Sequence, residues 1–480
     1  MKLKDNKIFR WIIIPICLLL CFFGRFIPGN SALSSDAIGV ICIFIGTLIL
    51  WLTIGIDWPS VLCIFSLGFI NSYGFSKVFT SGFGNSTFVF LLFTFVCTYA
   101  LSKTSLIKRT AIFFVNNKLS KKSGFWFSNL FLISVLLLGQ FIAPTVLFVI
   151  MLPILEEILN LAKIEKGDKI GKLLMLGLGF TCSISSGMTP IAHVFPIIAM
   201  NTAEITVSPL NYMAIAIPTG LLIFILMLIM LWIFLRPDTS KLKDINIEEI
   251  KKDIPSIDKK DIATLVIFII VILLWIIPSL FKDISPDFYK LINGYGTAMP
   301  PILGTILLCI LRFDNKPVIK IDDAFKNGVP WGSLLMCAAT LTLGSVLSDD
   351  TIGIKLFLQN SLGSSLTNVS PILLLIIFVS WAAIQTNLSS NMVTASLVSA
   401  VCATLLRSIV TTINLPSIIC VIGMMSALAF ATPPSMPHIA IISSNGYCET
   451  KDTLIYGSIL MVISIILSLL IAYPLGTLIL

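Results

Sequence analysis

The sequence predicts an all-α polytopic membrane protein of about eleven transmembrane helices plus two re-entrant hairpins, arranged as two inverted repeats. Three observations carry that reading. Of 480 residues, 57% are hydrophobic and 12% charged, with a mean hydropathy of +1.01, whereas about a quarter of the residues of a soluble domain are charged. Apolar runs long enough to cross a hydrocarbon layer about 30 Å thick recur from end to end, most plainly Leu221 to Leu235 and Ile262 to Phe281. Polar or proline-rich interruptions fall inside four such runs at a nearly constant spacing.

The first apolar run, near 11–27, follows Lys2, Lys4, Lys7 and Arg10. No small-residue cleavage pattern follows it and many more runs do, so it reads as a first helix with its N-terminus in the cytoplasm of a cell (plasma) membrane protein. Further spans are expected near 36–56, 59–72, 85–101, 173–200, 211–235, 262–281, 294–311, 330–348, 416–446 and 453–476, with hairpins over 125–160 and 366–410. On this topology Arg25, Lys77, Lys282, Lys290, Lys355 and Arg407 lie outside and every other Lys and Arg inside, the asymmetry that orients membrane proteins. Arg236 to Asp261 balances seven basic against seven acidic residues and reads as a cytoplasmic linker between a first unit, 1–235, and a second, 262–480.

Across the linker the chain weakly repeats itself. "YALSKTSL" at Tyr99 matches "SVLSDDTI" at Ser345, and "QFIAPTVLFVIMLPI", from Gln140, matches part of "WAAIQTNLSSNMVTASLVSA", with Ala143 against Ser390. "SISSGMTPIAHVFP" at Ser183 matches "AFATPPSMPH" at Ala429, all at offsets of about 243 to 247. The leading helix of the first unit puts the matched portions on opposite faces, hence an inverted repeat, the arrangement of secondary transporters with substrate held at the midplane between interrupted helices.

A helix stopped inside the membrane leaves about four N–H or C=O groups unpaired. They are tolerated only where protein, water or ligand satisfies them. Broken N-terminal ends suit an anion and broken C-terminal ends a cation. Ser389, Ser390, Asn391 and Thr394 add short side chains that cap or coordinate, and Pro190, Pro433, Pro434 and Pro437 enforce the later interruptions. No Lys or Arg lies in any of the four breaks. A divalent anion there would meet only dipoles, hydroxyls and amides, so bound cations are a physical route to neutralising it. The only histidines, His193 and His438, lie just beyond the Thr-Pro pairs of the two later breaks, where an imidazole could carry a proton or meet the anion. Taken singly, such polar residues also serve as interhelical hydrogen-bonding groups.

With these motifs the sequence resembles the divalent anion/sodium symporter (DASS) family over nearly its whole length: Ser390-Asn391-Met392 at the second hairpin tip and Thr432-Pro433-Pro434-Ser435 at the second break. The resemblance implies a homodimer with a fixed scaffold and a mobile transport domain moving in an elevator fashion. It implies substrate contacts at Thr145, Asn391, Met392, Thr432, Pro433, Ser435, Thr189 and Pro190, and sodium as the coupling ion, with no other metal and no organic cofactor. Cation contacts are implied at Thr386, Ser389, Ser390, Asn391 and Ala431, and in the first unit at Ala143, Thr145 and Gly187. The first tip reads Ala143-Pro144-Thr145, without the Ser and Asn of the family signature.

The expected function is therefore cation-coupled secondary transport of small divalent anions, dicarboxylates ahead of sulfate. The expected partners are the anion, sodium or protons, and membrane lipid. A proton-coupled carrier or exchanger, or an oxyanion or metalloid efflux protein, is the alternative. The net charge of +8 follows from loop Lys and Arg, not from a nucleic-acid surface, and the 11 scattered Cys give neither a disulfide framework nor a metal motif. An enzyme is not expected: no His-Glu-x-x-His motif is present.

Overall fold

The computed structural model describes residues 7–29, 33–191, 193–242, 254–280, 285–349, 351–354, 357, 369–388, 390–408, 412–433, 435–443 and 445–480. Helices dominate, as a hydrocarbon environment requires when every backbone polar group must find its partner within the segment. Among the described residues the only strands are Arg312–Phe313 and Lys316–Pro317, paired antiparallel in a short turn.

The first half contains α1 (Lys7–Phe23), α2 (Ser35–Thr53), α3 (Asp57–Leu67), α4 (Gly74–Gly82), α5 (Ser86–Ser102) and α6 (Leu106–Val115). A helical hairpin follows, α7 (Gly124–Leu138) and α8 (Pro144–Leu161), then α9 (Lys169–Met188), α10 (Phe195–Thr202) and α11 (Pro209–Leu235). The starts have local causes. Ser34, Asn85, Ser123 and Ser208 each accept a hydrogen bond from an N–H in the first turn of α2, α5, α7 and α11, the usual N-cap device. Pro144 and Pro209 occupy first helical positions, where no N–H is needed.

The second half contains α12 (Lys259–Leu280), α13 (Pro286–Gly294), α14 (Met299–Ile310) and α15 (Trp331–Ser348). Its hairpin is α16 (Pro371–Leu388) and α17 (Asn391–Ser408). Then come α18 (Leu415–Ala427), α19 (Pro437–Ile442) and α20 (Thr450–Leu467), the last continuing through a π-helical turn, Ser468–Ala472, into α21 (Tyr473–Ile479). Both hairpins thus have a second arm of 18 residues, starting at Pro144 and Asn391, about 247 residues apart.

Six helices among the described residues are long and apolar enough to cross a membrane, or up to eight when each bent pair, α4 with α5 and Ile321–Gly328 with α15, counts once. Several predicted spans are shorter than that, such as the 11-residue α3 and 13-residue α18, which at 1.5 Å per residue reach only about 16 and 20 Å. The predicted spans over 173–200 and 416–446 are each two helices, α9 with α10 and α18 with α19, separated by the breaks 189–194 and 428–436. Helices α4 and α6, short and apolar on one face, lie outside the predicted spans.

The two halves interlock. The short helix α10 lies against α17 and α18, and α19 lies against α8 and α9, so each broken segment packs on the other half. A smaller apolar cluster gathers side chains of α1, α2, α3 and α15, while the larger one holds the hairpins and broken helices. Met392 packs against both clusters. The backbone of the second break presses on α20 at Gly457, where a Cβ would meet Phe430 C and O at 2.6 Å and Ala431 Cα at 2.7 Å. Gly457→Val is therefore expected to displace the break and destabilise the protein by about 1–3 kcal/mol, read as a lowered unfolding temperature in detergent, whereas Gly294→Ala, with open space around it, should leave that temperature within a degree or two.

Candidate functional site

The site is built from two junctions, each a hairpin tip against a broken helix. At the second, Asn387 does most of the holding. Its Oδ1 accepts from the N–H groups of Phe430 (2.7 Å) and Ala431 (2.8 Å), and its Nδ2 donates to Leu428 O (3.1 Å) and Ala383 O (2.9 Å). Thr432 Oγ1 donates to Asn387 O, and Thr386 Oγ1 to Ser426 O at 2.6 Å. The orphan backbone groups of the unwound segment are thus paired with the last turn of α16. Ser435 folds back on Thr432 O through both its N–H (3.1 Å) and its hydroxyl (2.6 Å).

Asn391, at the first helical position of α17, is different. It is 4% exposed, and neither Nδ2 nor Oδ1 has a partner among the described residues. An unpaired buried polar group costs roughly 1–3 kcal/mol, so this amide carries an uncompensated cost at both of its groups. Ser396 and Ser399, further along α17, also bury unpaired hydroxyls. Thr394 does not join them, because its hydroxyl donates to Ser390 O at 3.0 Å. Met392 is half-buried between the apolar clusters. Ser389 and Pro434 lie outside the described residues.

The first junction repeats part of this pattern with other side chains. Thr189 Oγ1 donates to Gln140 O at 2.8 Å, as Thr432 does to Asn387 O. His193 Nε2 donates to Gly139 O at 2.9 Å, and Tyr212 Oη to Gly187 O at 2.5 Å. A side chain at Gly139 would run into Ser185, so α7 and α9 approach closely there. Ala143 holds the N-cap position of α8 with no side-chain bond, and Thr145 is half-buried on the first turn. Pro190 is buried in the break. The junctions are tied together by Ser183 of α9, which donates to Ala429 O (2.8 Å) and accepts from His438 Nε2 (2.9 Å). His438 therefore contacts the first half, not the tip of its own hairpin. Both rings are buried, at 2% and 0% exposure.

Two cavities, each of about 450 Å³, reach the first unit's candidates. One is lined by Asn85, Thr87, Pro190, Asn201, Glu204 and Thr297. The other is lined by Ala143, Ile142, Thr98, Tyr99, Lys103 and Gly328. Neither is lined by Asn391, which is buried. Lys103 sits with its Nζ 4.7 Å from the centre of the Tyr99 ring, and Tyr99 donates to Asp323 at 3.1 Å. A cation therefore stands beside the first tip although the breaks themselves contain none. Asn387, Ser183, Tyr212 and Lys103 were not singled out from the sequence. The repeat offset pairs Asn387 with Gln140, the one signal that could have drawn attention to it.

With this geometry in hand, similarity to known proteins is informative. The chain is 24% identical over 504 residues to the sodium-dependent dicarboxylate transporter SdcS of Staphylococcus saprophyticus, covering 98% of this chain and 92% of the relative. It is 24% identical over 420 residues to the SdcS protein of Staphylococcus aureus, covering 82% and 77%. An uncharacterized transporter of Methanocaldococcus jannaschii is 26% identical over 335 residues, 70% of each chain. The family described as the sodium:sulfate symporter transmembrane region matches residues 6–480. The chain belongs to that family, the divalent anion/sodium symporters, and is a membrane transporter, not an enzyme.

Proposed function

We propose that the chain is a sodium-coupled secondary transporter of small divalent anions, dicarboxylates ahead of sulfate, working by an elevator movement of the hairpins and broken helices against a scaffold. The observation that carries this reading is Asn391: a buried amide with both groups unpaired, at the N-terminal end of a helix that starts inside the fold. Its carbonyl oxygen suits a cation and its NH2 a carboxylate, and the helix start favours the anion. Thr386, Ser389, Ser390 and Ala431 complete the proposed cation seat, and Met392, Thr432, Pro433 and Ser435 the anion side, with Thr145, Thr189 and Pro190 facing from the first unit. The names of the SdcS relatives agree with both sodium and dicarboxylate.

The burial of Asn391 supports a re-entrant second hairpin, since a turn joining two full crossings would lie at the surface. The recurrent hairpin and break boundaries support two inverted repeats in units 1–235 and 262–480 joined by the 236–261 linker. Met392, packed against both apolar clusters, supports a sliding boundary through the substrate position. In this reading the protein is a plasma-membrane homodimer with a cytoplasmic N-terminus, and Lys103 draws anions toward the first tip.

Purified protein in liposomes is expected to accumulate a four-carbon dicarboxylate under an inward sodium gradient and not under a proton gradient alone; accumulation with protons only would favour the proton-coupled alternative. Asn391→Asp replaces the NH2 donor with an acceptor and should raise the half-saturating dicarboxylate concentration at least tenfold while changing the unfolding temperature little; unchanged affinity removes Asn391 from the site.

The proton-coupled reading has one observation of its own, the two buried imidazoles at the breaks. On that reading His193→Gln flattens the pH profile of uptake and His438→Gln does so less. Unchanged profiles in both variants confine the rings to the hydrogen bonds they make with Gly139 and Ser183.

A further inference from the structure

A groove of about 310 Å³ runs between α7 and α11, lined by none of the residues of the two junctions but by Phe125, Asn129, Trp232 and the stripe Ile225, Ile229 and Ile233. Its walls are joined by one polar link, Trp232 Nε1 donating to Asn129 Oδ1 at 3.0 Å. The rings of Phe125 and Trp232 pack with their centres 4.7 Å apart. Phe125 stands on the first turn of α7 and Trp232 on the last turn of α11, so the helices are antiparallel here and the groove lies where one begins and the other ends. Ile225, Ile229 and Ile233 follow one another at the spacing that keeps side chains on one helix face. They are 49%, 46% and 57% exposed. A concave apolar stripe with an aromatic wall, facing outward from a membrane protein, has the shape and chemistry of a seat for an acyl chain.

The same end carries charge. Lys121 and Lys122 close the helical turn Ser120–Lys122 just before α7, and Arg236 is the C-terminal cap of α11. Each stands within about a turn of a lining residue, Phe125 or Ile233. All three are exposed, and none forms an ion pair among the described residues. The neighbouring acids are engaged elsewhere: Asp168 pairs with Lys241 at 3.0 Å, and Asp238 accepts from the Ser240 N–H (2.9 Å) and hydroxyl (3.0 Å). The start of α7 adds the partial positive charge of a helix N-terminus. Basic residues alone would point to nothing, because loop charge asymmetry calls for them along that whole face. Here three unpaired cations stand at the mouth of an apolar groove between two helices, where a phosphate and a chain would each find a complement.

We infer that the groove holds an acyl chain of an anionic phospholipid whose phosphate lies against Lys121, Lys122 and Arg236. A zwitterionic headgroup would bring an ammonium toward the same three cations and gain less from them. In the proposed topology this end of the helices is cytoplasmic, the side on which anionic lipid gathers basic segments. The inference stands apart from the sodium and dicarboxylate readings. Its consequence for the fold is a lipid that braces the first arm of the first hairpin against α11, at the far end of the arm from Gly139 and Gln140, whose carbonyls meet the first break.

The test is equilibrium binding of radiolabelled phosphatidylglycerol, and in parallel of phosphatidylcholine with the same acyl chains, to delipidated full-length protein in a nonionic detergent. A single symmetric peak on size exclusion is required of each variant. The parent is expected to bind phosphatidylglycerol about tenfold more tightly than phosphatidylcholine, given three cations at the headgroup. The triple variant Lys121→Gln, Lys122→Gln, Arg236→Gln should lose most of that preference, a weakening of about fivefold or more. The control triple Lys316→Gln, Lys320→Gln, Lys326→Gln removes as many cations from the same face in the proposed topology and should leave phosphatidylglycerol binding unchanged. Ile229→Trp fills the groove and should weaken binding without touching the charges. Glycerol phosphate in large excess should not displace the lipid. Equal affinity for the two lipids, equal losses in the two triples, or parental affinity in the groove triple or in Ile229→Trp overturns the inference. Displacement by glycerol phosphate assigns the cations to free phosphate and overturns the lipid site. If Ile229→Trp fails the size-exclusion requirement, the two triples and the comparison of lipids on the parent decide.

Discussion

A helix that ends inside an apolar layer leaves donors and acceptors that water cannot reach, and the architecture is organised around answering that demand. At the second break the answer is one amide. Asn387 takes two backbone N–H groups and gives its own N–H bonds to Leu428 and Ala383, so an irregular segment is held as firmly as a helix turn. The neighbouring bonds from Thr386 and Thr432 fix the hairpin to the same segment. Beside those paired groups, the amide of Asn391 has neither its Nδ2 nor its Oδ1 partnered among the described residues.

Interlocking makes this arrangement a property of both halves together. The short helices α10 and α19 are too brief to be stable alone, and each is packed against the hairpin and broken helix of the other half. Ser183 joins the halves through polar bonds as well, bridging Ala429 and His438. Small residues permit the close approaches, Gly457 beneath the second break and Gly139 beside Ser185. The two breaks thus share one packed environment, so neither can shift without disturbing the other.

The halves are alike in layout and unlike in chemistry. Thr189 and Thr432 make the same bond to the tip of their respective hairpins. Around them the groups differ: His193 and Tyr212 donate to carbonyls at the first junction, Asn387 and Thr386 do so at the second, and the Asn391 amide there has no partner among the described residues. Both sets pair backbone groups at the broken helix ends.

Much of this is legible in the sequence alone. Composition and run length determine an all-α membrane chain, Pro144 and the Thr-Pro pairs place the helix starts and breaks, and the common offset marks Asn391 and Thr432 as counterparts of Pro144 and Thr189. Those are statements about local preference and period, which a sequence records directly. Hydrogen-bond direction is not recorded there. That Asn387 holds the break, that Tyr212 from α11 occupies the carbonyl of Gly187, that His438 turns to Ser183, and that Lys103 stands beside Ala143 all depend on which helices meet and how they are rotated. In apolar stretches nearly every face is hydrophobic, so periodicity cannot say which face a helix turns inward. Only the packed structure decides which polar groups are paired and which, like the Asn391 amide, find no partner among the described residues.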